Sequence, residues 1–204
     1  RFHDITFRNY FDKVYQNILK LIDEGFKVKI NAVLMRGVND DEILDFIAFT
    51  KNHAVGFRFI EFMPFDGNQW KREKTVSYQE IMEQIKTAYS KDEIIRLQDA
   101  PNDTAKNYTI KGHRGTFAII STVTNPFCDQ CNRIRLTANG QLKNCLFSQK
   151  ENDLLTALRN QEDIEPIIRK NISSKFAVRS GMEGPEFEDP KKHQQNRSMI
   201  TIGG

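Results

Sequence analysis

All three cysteines of the chain lie in one stretch, as Cys128-Asp129-Gln130-Cys131 and then, after thirteen intervening residues, Cys145. A C-x-x-C turn presents two thiolates to one metal centre, and a hairpin that returns along the chain can add a third. A disulfide explains the stretch less well, because it leaves one thiol over and is typical of secreted proteins. The spacing therefore favours a metal site.

Three thiolates leave the identity of the metal open. Structural zinc takes four protein ligands and would need His3, His53, His113 or His193, none of which lies in the cysteine stretch. A four-iron cluster usually takes four cysteines, but with three it keeps one iron free to bind a substrate atom. The residues alone leave an iron–sulfur cluster, a zinc site and a metal-free stretch as alternatives.

The residues between Cys131 and Cys145 predict a β-hairpin, whose register decides where the third thiol points. A three-residue loop at 138–140, with Gly140 in the left-handed conformation, places Thr137 opposite Gln141 and Arg133 opposite Cys145. A two-residue Asn-Gly loop would shift the register by one position and send Cys145 to the other face. The metal interpretation therefore requires the longer loop.

In this register the two faces of the hairpin carry different side chains. We expect Ile134 and Leu136 to point into a core, because side chains alternate along a strand. The other face would hold the groups that can do chemistry, namely Cys131, Arg133, Arg135 and Cys145.

Basic residues in apolar surroundings suggest an anion site. Arg133 and Arg135 beside the cysteines could clamp an anion, although solvated strand arginines are the simpler explanation of that pair alone. Lys29 and Asn31 share one face of an apolar strand, where an inward polar pair in a barrel usually belongs to a ligand site, and Arg58 interrupts another apolar strand. A structural ion pair would explain each of these equally well. Together they predict a polyanion pocket between the two halves of the chain.

The elements before Pro64 alternate between helix and strand. The apolar spacing predicts a helix over 11–24 that ends at Gly25, a strand over 26–34, a helix after Asn39 and a strand over 57–62. This order is typical of a parallel sheet or a barrel. Glu61 lies opposite to Arg58 on the last strand, and we assign it a structural pairing with a helix rather than catalysis.

The pattern changes after Pro64. The capping box at 77–80 predicts a helix, and strands without intervening helices follow from residue 107, which indicates an antiparallel module. Two further helices are predicted near 152–159 and 162–173, and the polar tail 181–204 is predicted to be an extended arm.

Composition excludes several classes of protein. The 204 residues carry 30 Lys and Arg against 27 Asp and Glu, a balance too even for a general nucleic-acid binder. No apolar run reaches the length of about 18 residues that a membrane helix needs, so we expect a soluble chain without nucleic-acid or membrane partners. The chain opens at Arg1 without Met or a signal peptide, and we interpret it as a fragment.

Several segments together resemble the GTP 3',8-cyclases, the radical S-adenosylmethionine lyases that begin molybdenum cofactor biosynthesis. The likeness runs over essentially the whole chain and is most specific at the cysteines. The segments are Val28-Lys29-Ile30-Asn31-Ala32-Val33, Arg36-Gly37-Val38-Asn39-Asp40, Arg58-Phe59-Ile60-Glu61-Phe62-Met63-Pro64, Phe127-Cys128-Asp129-Gln130-Cys131-Asn132-Arg133-Ile134-Arg135 and Ile202-Gly203-Gly204.

The resemblance implies an α/β fold in two parts. Residues 1–63 would be the C-terminal part of an incomplete (βα) radical S-adenosylmethionine barrel. Residues 64–204 would be the molybdenum cofactor synthesis C-terminal domain, an α+β domain with antiparallel strands that carries a second 4Fe-4S cluster.

The resemblance also implies roles for particular residues. The cluster would be held by Cys128, Cys131 and Cys145, and its open iron would bind the guanine of GTP. The other implied roles are GTP binding by Lys29, Arg58, Arg133 and Arg135, S-adenosylmethionine binding at Met63, and an active-site tail at Gly203 and Gly204.

The chain departs from these enzymes in one respect. Their first 4Fe-4S cluster, which cleaves S-adenosylmethionine, uses a C-x-x-x-C-x-x-C motif, and this chain has no cysteine outside the second site. We therefore expect the full-length parent to be the enzyme and these 204 residues alone to be inactive. In the parent, a 5'-deoxyadenosyl radical would abstract a ribose hydrogen from GTP, and a carbon–carbon bond would then form to the guanine, giving (8S)-3',8-cyclo-7,8-dihydroguanosine 5'-triphosphate.

The resemblance also implies partners and a compartment. The product would pass to cyclic pyranopterin monophosphate synthase, and a homodimer is left open. The expected location is the cytoplasm, or the mitochondrial matrix in a eukaryote. The alternatives are another radical enzyme with an auxiliary cluster, which GTP affinity would distinguish, and a zinc-binding structural or nucleotide-binding module, which would hold zinc rather than iron.

Overall fold

The computed structural model describes residues 1–202. The chain forms two compact units, which interleave along the sequence. The first unit comprises Arg1–Ile60, Tyr78–Asp99 and Ala105–Ile120, and the second comprises Glu61–Ser77, Ala100–Thr104 and the residues from Ser121 onward. The two units are defined by which residues pack against one another. The domain limits 1–63 and 64–204 remain a prediction.

The first unit is built on one five-stranded mixed sheet in the order β1-β2-β5-β4-β3. Strand β2 pairs with β5 in parallel, whereas β4 pairs antiparallel with both β3 and β5. The strands are β1 (Val28–Leu34), β2 (Val55–Glu61), β3 (Ile94–Arg96), β4 (Lys106–Ile110) and β5 (Thr116–Ile120), and the helices are α1 (Phe2–Thr6), α2 (Phe11–Asp23), α3 (Ile43–Asn52) and α4 (Tyr78–Ala88).

The helix–strand alternation predicted before Pro64 is confirmed. Helix α2 ends where the sequence predicts, because Gly25 adopts a φ of +82° that residues with a side chain rarely take. Asn39 precedes the next helical segment, and although its residue type suits a capping role, its side chain makes no cap hydrogen bond there. The Asn39 side chain instead accepts a hydrogen bond from the Met35 N–H and donates one to the Val33 carbonyl, so it closes the loop after β1.

One face of the five-stranded sheet packs against helices. The face carries Phe57 and Phe59 of β2, and the Phe57 ring stacks on Phe46 of α3 with centroids 5.1 Å apart. Ile43 and Ile47 of α3 are fully buried. The alternating burial of β2 follows from this arrangement, since every second side chain enters the core.

The second unit contains a three-stranded antiparallel sheet in the order β6-β7-β8. Its elements are β6 (Arg135–Leu136), β7 (Gln141–Lys143), β8 (Asn152–Asp153), α5 (Leu154–Arg159) and α6 (Glu165–Ser173). Both helices were predicted from the sequence. Asp153 caps the start of α5, because its side chain accepts a hydrogen bond from the Thr156 N–H.

The predicted extended arm from residue 181 is wrong. The described part of this tail forms short 3₁₀ turns, and Phe187, His193 and Ile202 are almost completely buried. The Phe187 ring packs edge-on against Phe147, with centroids 5.0 Å apart, and against Trp70. The tail is polar in overall composition, so its few apolar side chains do not stand out in the sequence. Once buried, they are enough to fold the tail onto the second unit.

Glu61 opens the second unit and has the structural role assigned to it. Its buried carboxylate accepts hydrogen bonds from the Val123 N–H at 2.7 Å and from the N–H and hydroxyl of Thr124. These partners lie in the loop after β5, whereas the sequence predicted a pairing with a helix. A carboxylate needs several donors when it leaves water, and a turn with free backbone N–H groups supplies them.

The architecture is mixed α/β, with one mixed and one antiparallel sheet, which agrees with the coarse fold class predicted from the sequence. Within residues 1–202, no helix combines the length and apolar character that crossing a membrane requires.

Candidate functional site

The hairpin between the cysteines has the predicted register. Arg135 pairs with Lys143 and Leu136 with Leu142, and the Thr137 N–H donates to the Gln141 carbonyl at 2.9 Å. Residues 138–140 form the three-residue loop, with Gly140 at a φ of +75°. Continued along the chain, this register places Arg133 opposite Cys145.

The prediction that Ile134 and Leu136 enter a core is wrong. Their exposed fractions are 44% and 65%, whereas Leu142, directly opposite Leu136, is buried. Strand β6 is an edge strand, and helices α5 and α6 pack over the central strand β7. The core therefore covers the middle of this small sheet and leaves the edge strand uncovered.

The C-x-x-C segment forms a short 3₁₀ turn over Cys128–Gln130. The Cys131 N–H closes the turn by donating to the Cys128 carbonyl at 3.1 Å. All three cysteines carry free thiols and are half-buried. The turn brings the two thiols of the motif to one end of the hairpin, where Cys145 returns.

The Cys131 thiol lies in a positively charged environment. Burial alone raises its pKa, but the backbone N–H of Arg133 and the ammonium of Lys175 together lower the pKa below the ordinary value of 9.0. The Lys175 Nζ lies 3.4 Å from the Cys131 Sγ. The thiolate form, which binds metals, is therefore easier to reach at this position than in an ordinary cysteine.

The Cys145 thiol shows the opposite shift. Burial raises its pKa, and the nearby thiolates of Cys128 and Cys131 raise it further. The neighbouring Asn144 side chain is buried and donates to the Asn171 carbonyl at 3.0 Å, which anchors this strand end to α6. Because the Cys128 and Cys131 thiolates both act on the Cys145 thiol, the three sulfurs belong to one electrostatic cluster.

The chemistry of the donor set is that of a sulfur-ligated centre, because three thiols lie beside cationic groups that can balance the charge of their thiolates. Over residues 1–202, no three His, Cys, Asp or Glu side chains form a group placed to hold a metal ion.

Two arginines lie beside the thiols, as predicted. Burial and the charge of Arg133 lower the pKa of Arg135, and the Cys145 and Cys131 thiolates oppose that shift. The Arg133 Nη2 donates to the Asn102 carbonyl at 2.8 Å, and the Arg135 Nη1 donates to the Ile202 carbonyl at 3.4 Å. Both guanidinium groups are thus held near the cysteines by backbone oxygens.

The other predicted site residues have different positions. Lys29 and Arg58 lie in the first unit, on the face of the sheet opposite to Phe57, and Lys29 is exposed. The Lys29 Cγ lies 3.5 Å from the point where Gly56 would carry a Cβ, which puts it on the same face as Arg58. Met63 is half-buried in the loop after β2.

Gly203 and Gly204, predicted as an active-site tail, lie outside the described residues. The pocket predicted between the two halves of the chain stays a prediction.

The family described as Molybdenum Cofactor Synthesis C matches residues 55–180. The chain belongs to this family. Over its whole length it is 43% identical to "GTP 3',8-cyclase, mitochondrial" of Arabidopsis thaliana, which it covers to 51%. It is 40% identical to "Molybdenum cofactor biosynthesis protein 1" of Mus musculus, in a match that spans all of this chain and 31% of the mouse protein.

A bacterial relative shows the same relationship. "GTP 3',8-cyclase" of Rhodopirellula baltica is 36% identical over 95% of this chain and 54% of its own length. The chain thus spans about half the length of the Arabidopsis and Rhodopirellula proteins. The resemblance argued from the five sequence segments is confirmed by these matches and by membership of the Molybdenum Cofactor Synthesis C family.

Sequence reasoning missed two residues of this candidate site. Lys175 contacts Cys131, and Asn144 anchors the strand that leads to Cys145. Lys175 stands 44 positions from Cys131, so no local spacing connects them. Only the adjacency of Asn144 to Cys145 could have suggested its role.

Proposed function

We propose that the chain is the substrate-binding carboxy-terminal portion of a GTP 3',8-cyclase. The observation that carries this proposal is the electrostatic cluster of three thiols flanked by Arg133 and Arg135. The relatives named GTP 3',8-cyclase support it, because they cover nearly the whole chain.

The cysteines Cys128, Cys131 and Cys145 would hold a 4Fe-4S cluster. When bound, such a cluster supplies an iron without a protein ligand, at which the guanine of GTP can bind. The protein contributes the thiolates, and the Lys175 ammonium and nearby guanidinium groups balance their negative charge. Without that compensation, three adjacent thiolates would repel one another.

The basic residues would bind the phosphates and base of GTP. Guanidinium groups donate hydrogen bonds in a fixed fork that matches phosphate oxygens. Arg135 is half-buried, so its charge acts through a less polar medium than bulk water and attracts an anion more strongly. Lys29 and Arg58 would add positive charge from the first unit.

The remaining functions belong to the full-length parent. There, a first 4Fe-4S cluster would cleave S-adenosylmethionine, with Met63 in its pocket and Gly203 and Gly204 reaching the active site. The product would pass to cyclic pyranopterin monophosphate synthase. Cytoplasm or mitochondrial matrix stays the expected compartment, and the name of the Arabidopsis relative carries the word mitochondrial.

The cluster and its ligand can be tested on the 204-residue chain. Iron and sulfide would be measured after anaerobic purification, and electron-paramagnetic-resonance spectra of the reduced protein recorded with and without GTP. We expect one iron–sulfur cluster whose signal changes on addition of GTP, and loss of that change in Arg135→Met. Stoichiometric zinc without sulfide would overturn the proposal, as would a cluster whose spectrum GTP leaves unaltered.

Catalysis by the isolated chain gives a separate test. Because no cysteine lies outside the second site, we expect no 5'-deoxyadenosine when the reconstituted chain is incubated with S-adenosylmethionine, reductant and GTP. Detectable 5'-deoxyadenosine would show that the chain does not need the missing motif.

A further inference from the structure

Lys175 directs its side chain at the cysteine segment. It follows helix α6 and is half-buried, and its Nζ lies 3.0 Å from the Cys131 carbonyl, 3.0 Å from the Arg133 carbonyl and 3.4 Å from the Cys131 Sγ. An ammonium group has three protons to donate. All three ammonium protons are therefore donated to atoms of Cys131 and Arg133.

The helix end that carries Lys175 is itself fixed. The buried Asn171 of α6 donates to the Leu142 carbonyl at 3.1 Å and to the Asn152 Oδ1 at 2.7 Å, which joins the helix to β7 and β8. The position of Lys175 is thus set by the sheet and not by the flexible end of a surface helix.

The same helix end also holds the strand that leads to Cys145. The Asn144 side chain donates to the Asn171 carbonyl at 3.0 Å and to the Ser174 Oγ at 3.2 Å. One short segment, residues 171–175, therefore bonds to both parts of the chain that bear the cysteines. This connection can fix the distance between the thiols of Cys131 and Cys145.

A solvated surface lysine would not show this geometry. Such a side chain keeps its ammonium in water, because leaving water costs free energy unless new hydrogen bonds replace those to water. Lys170, within helix α6, has an exposed side chain of that kind. The two lysines form a natural comparison.

We propose that Lys175 is a positioning residue that clamps the backbone from Cys131 to Arg133 and donates an N–H···S hydrogen bond to the Cys131 sulfur. The inference rests on the proposed function in one respect, since the sulfur is taken to bind the 4Fe-4S cluster. Hydrogen bonds to cluster sulfurs and nearby positive charge stabilise the more negative, reduced state. Lys175 would therefore raise the reduction potential of the cluster as well as order its ligand.

The clamp can be tested without the cluster. In the metal-free chain, the Gln130 and Cys131 amides are hydrogen-bonded within the cysteine turn, so their hydrogen exchange reports its order. We expect exchange at these amides to rise about fivefold in Lys175→Met, the factor that loss of one ordinary hydrogen bond produces. Lys170→Met should exchange like the wild type, and Lys175→Arg should lie between the two.

The effect on the cluster is measured by a redox titration of the reconstituted chain. We expect a midpoint potential more negative than wild type in Lys175→Met, a smaller shift in Lys175→Arg, which keeps the charge, and no shift in Lys170→Met. Unchanged potential and unchanged exchange in Lys175→Met would overturn the inference.

The two proposals fail in different ways. If the wild-type chain takes up no iron and sulfide, the proposed function is wrong, and the exchange of the metal-free variants still decides whether Lys175 clamps the turn. If the wild type assembles a cluster but Lys175→Met matches it in both measurements, only the role of Lys175 is wrong.

Discussion

At the scale of single residues, the surroundings decide the chemistry of identical side chains. Cys131 and Cys145 have the same thiol, yet the pKa of the first is lowered and that of the second is raised. Burial raises both, and only Cys131 has the Lys175 ammonium within hydrogen-bonding distance. If these thiols bind the proposed cluster, Cys145 would give up its proton to the metal less readily than Cys131, because only the deprotonated sulfur is a ligand.

His193 supports a prediction for stability against pH. Burial lowers the pKa of His193 below its ordinary value of 6.5, although a hydrogen bond from its ring to the Phe187 carbonyl opposes the shift. Below pH 6.5 the unfolded chain therefore binds a proton that the folded chain resists, and the free energy of unfolding falls as the pH is lowered. We expect urea denaturation at pH 7.5, 6.5 and 5.5 to show this loss, and to show a smaller one in His193→Gln.

A matched variant controls this experiment. His3 is exposed, and His3→Gln controls for the histidine-to-glutamine change itself. His113 also has a lowered pKa, caused mainly by burial, and it contributes to the slope that remains in His193→Gln. An identical pH dependence in His193→Gln and the wild type would contradict the prediction.

At the scale of elements, the hairpin loop depends on Gly140. Its φ of +75° disfavours any side chain, and an added Cβ would lie 2.3 Å from the Leu155 Cβ. Gly112 has a similar φ of +82° but open space around it. We expect Gly112→Ala to cost about 1–2 kcal/mol for the backbone conformation alone, and Gly140→Ala to cost at least about 1 kcal/mol more because of the steric clash.

Chemical denaturation of the two variants gives this comparison. The difference between them isolates the close approach of the loop to α5, since the backbone penalty is common to both. Equal losses of unfolding free energy would mean that the loop can move away from Leu155, and the register would then depend on the turn conformation alone.

The tail from residue 181 is an element whose packing can be measured. Phe187 is fully buried against Phe147 and Trp70. We expect Phe187→Ala to lower the unfolding free energy by about 3–5 kcal/mol, the usual loss for a buried phenylalanine. The emission of Trp70, the one tryptophan of the chain, should shift to longer wavelength, because the missing ring admits water.

Phe176 provides the control for the tail. Its side chain is 60% exposed, so Phe176→Ala should change stability and Trp70 emission only slightly. A Phe187→Ala variant with wild-type stability and emission would show that the tail is the extended arm that its composition suggests.

At the scale of the whole molecule, the proposed cluster would join the C-x-x-C turn to the returning strand that carries Cys145. Cluster binding to the folded state alone stabilises that state. We expect the reconstituted chain to melt at a higher temperature than the metal-free chain, with new protection from hydrogen exchange concentrated in residues 127–146. Removal of the iron by a chelator should reverse both changes.

Cys145→Ser separates a specific effect from iron bound elsewhere. This variant lacks one proposed ligand, and we expect it to gain little thermal stability on reconstitution. Equal melting temperatures of the wild type with and without iron and sulfide would contradict a stabilising cluster at this site.

The sequence by itself determined the local structure and the family. Apolar spacing predicted α2, α3 and the strands around them, and the chemistry of the loop at 138–140 predicted the hairpin register, because both depend on residues close in the chain. The cysteine segment likewise identified the family, since its residues and their spacing are contiguous.

The tertiary structure alone decided which side chains meet across long sequence distances. It exposed Leu136, folded the tail around Phe187 and brought Lys175 to Cys131. None of these follows from periodicity, because burial depends on which element covers a face, and a hydrogen bond depends on where two separate segments are packed.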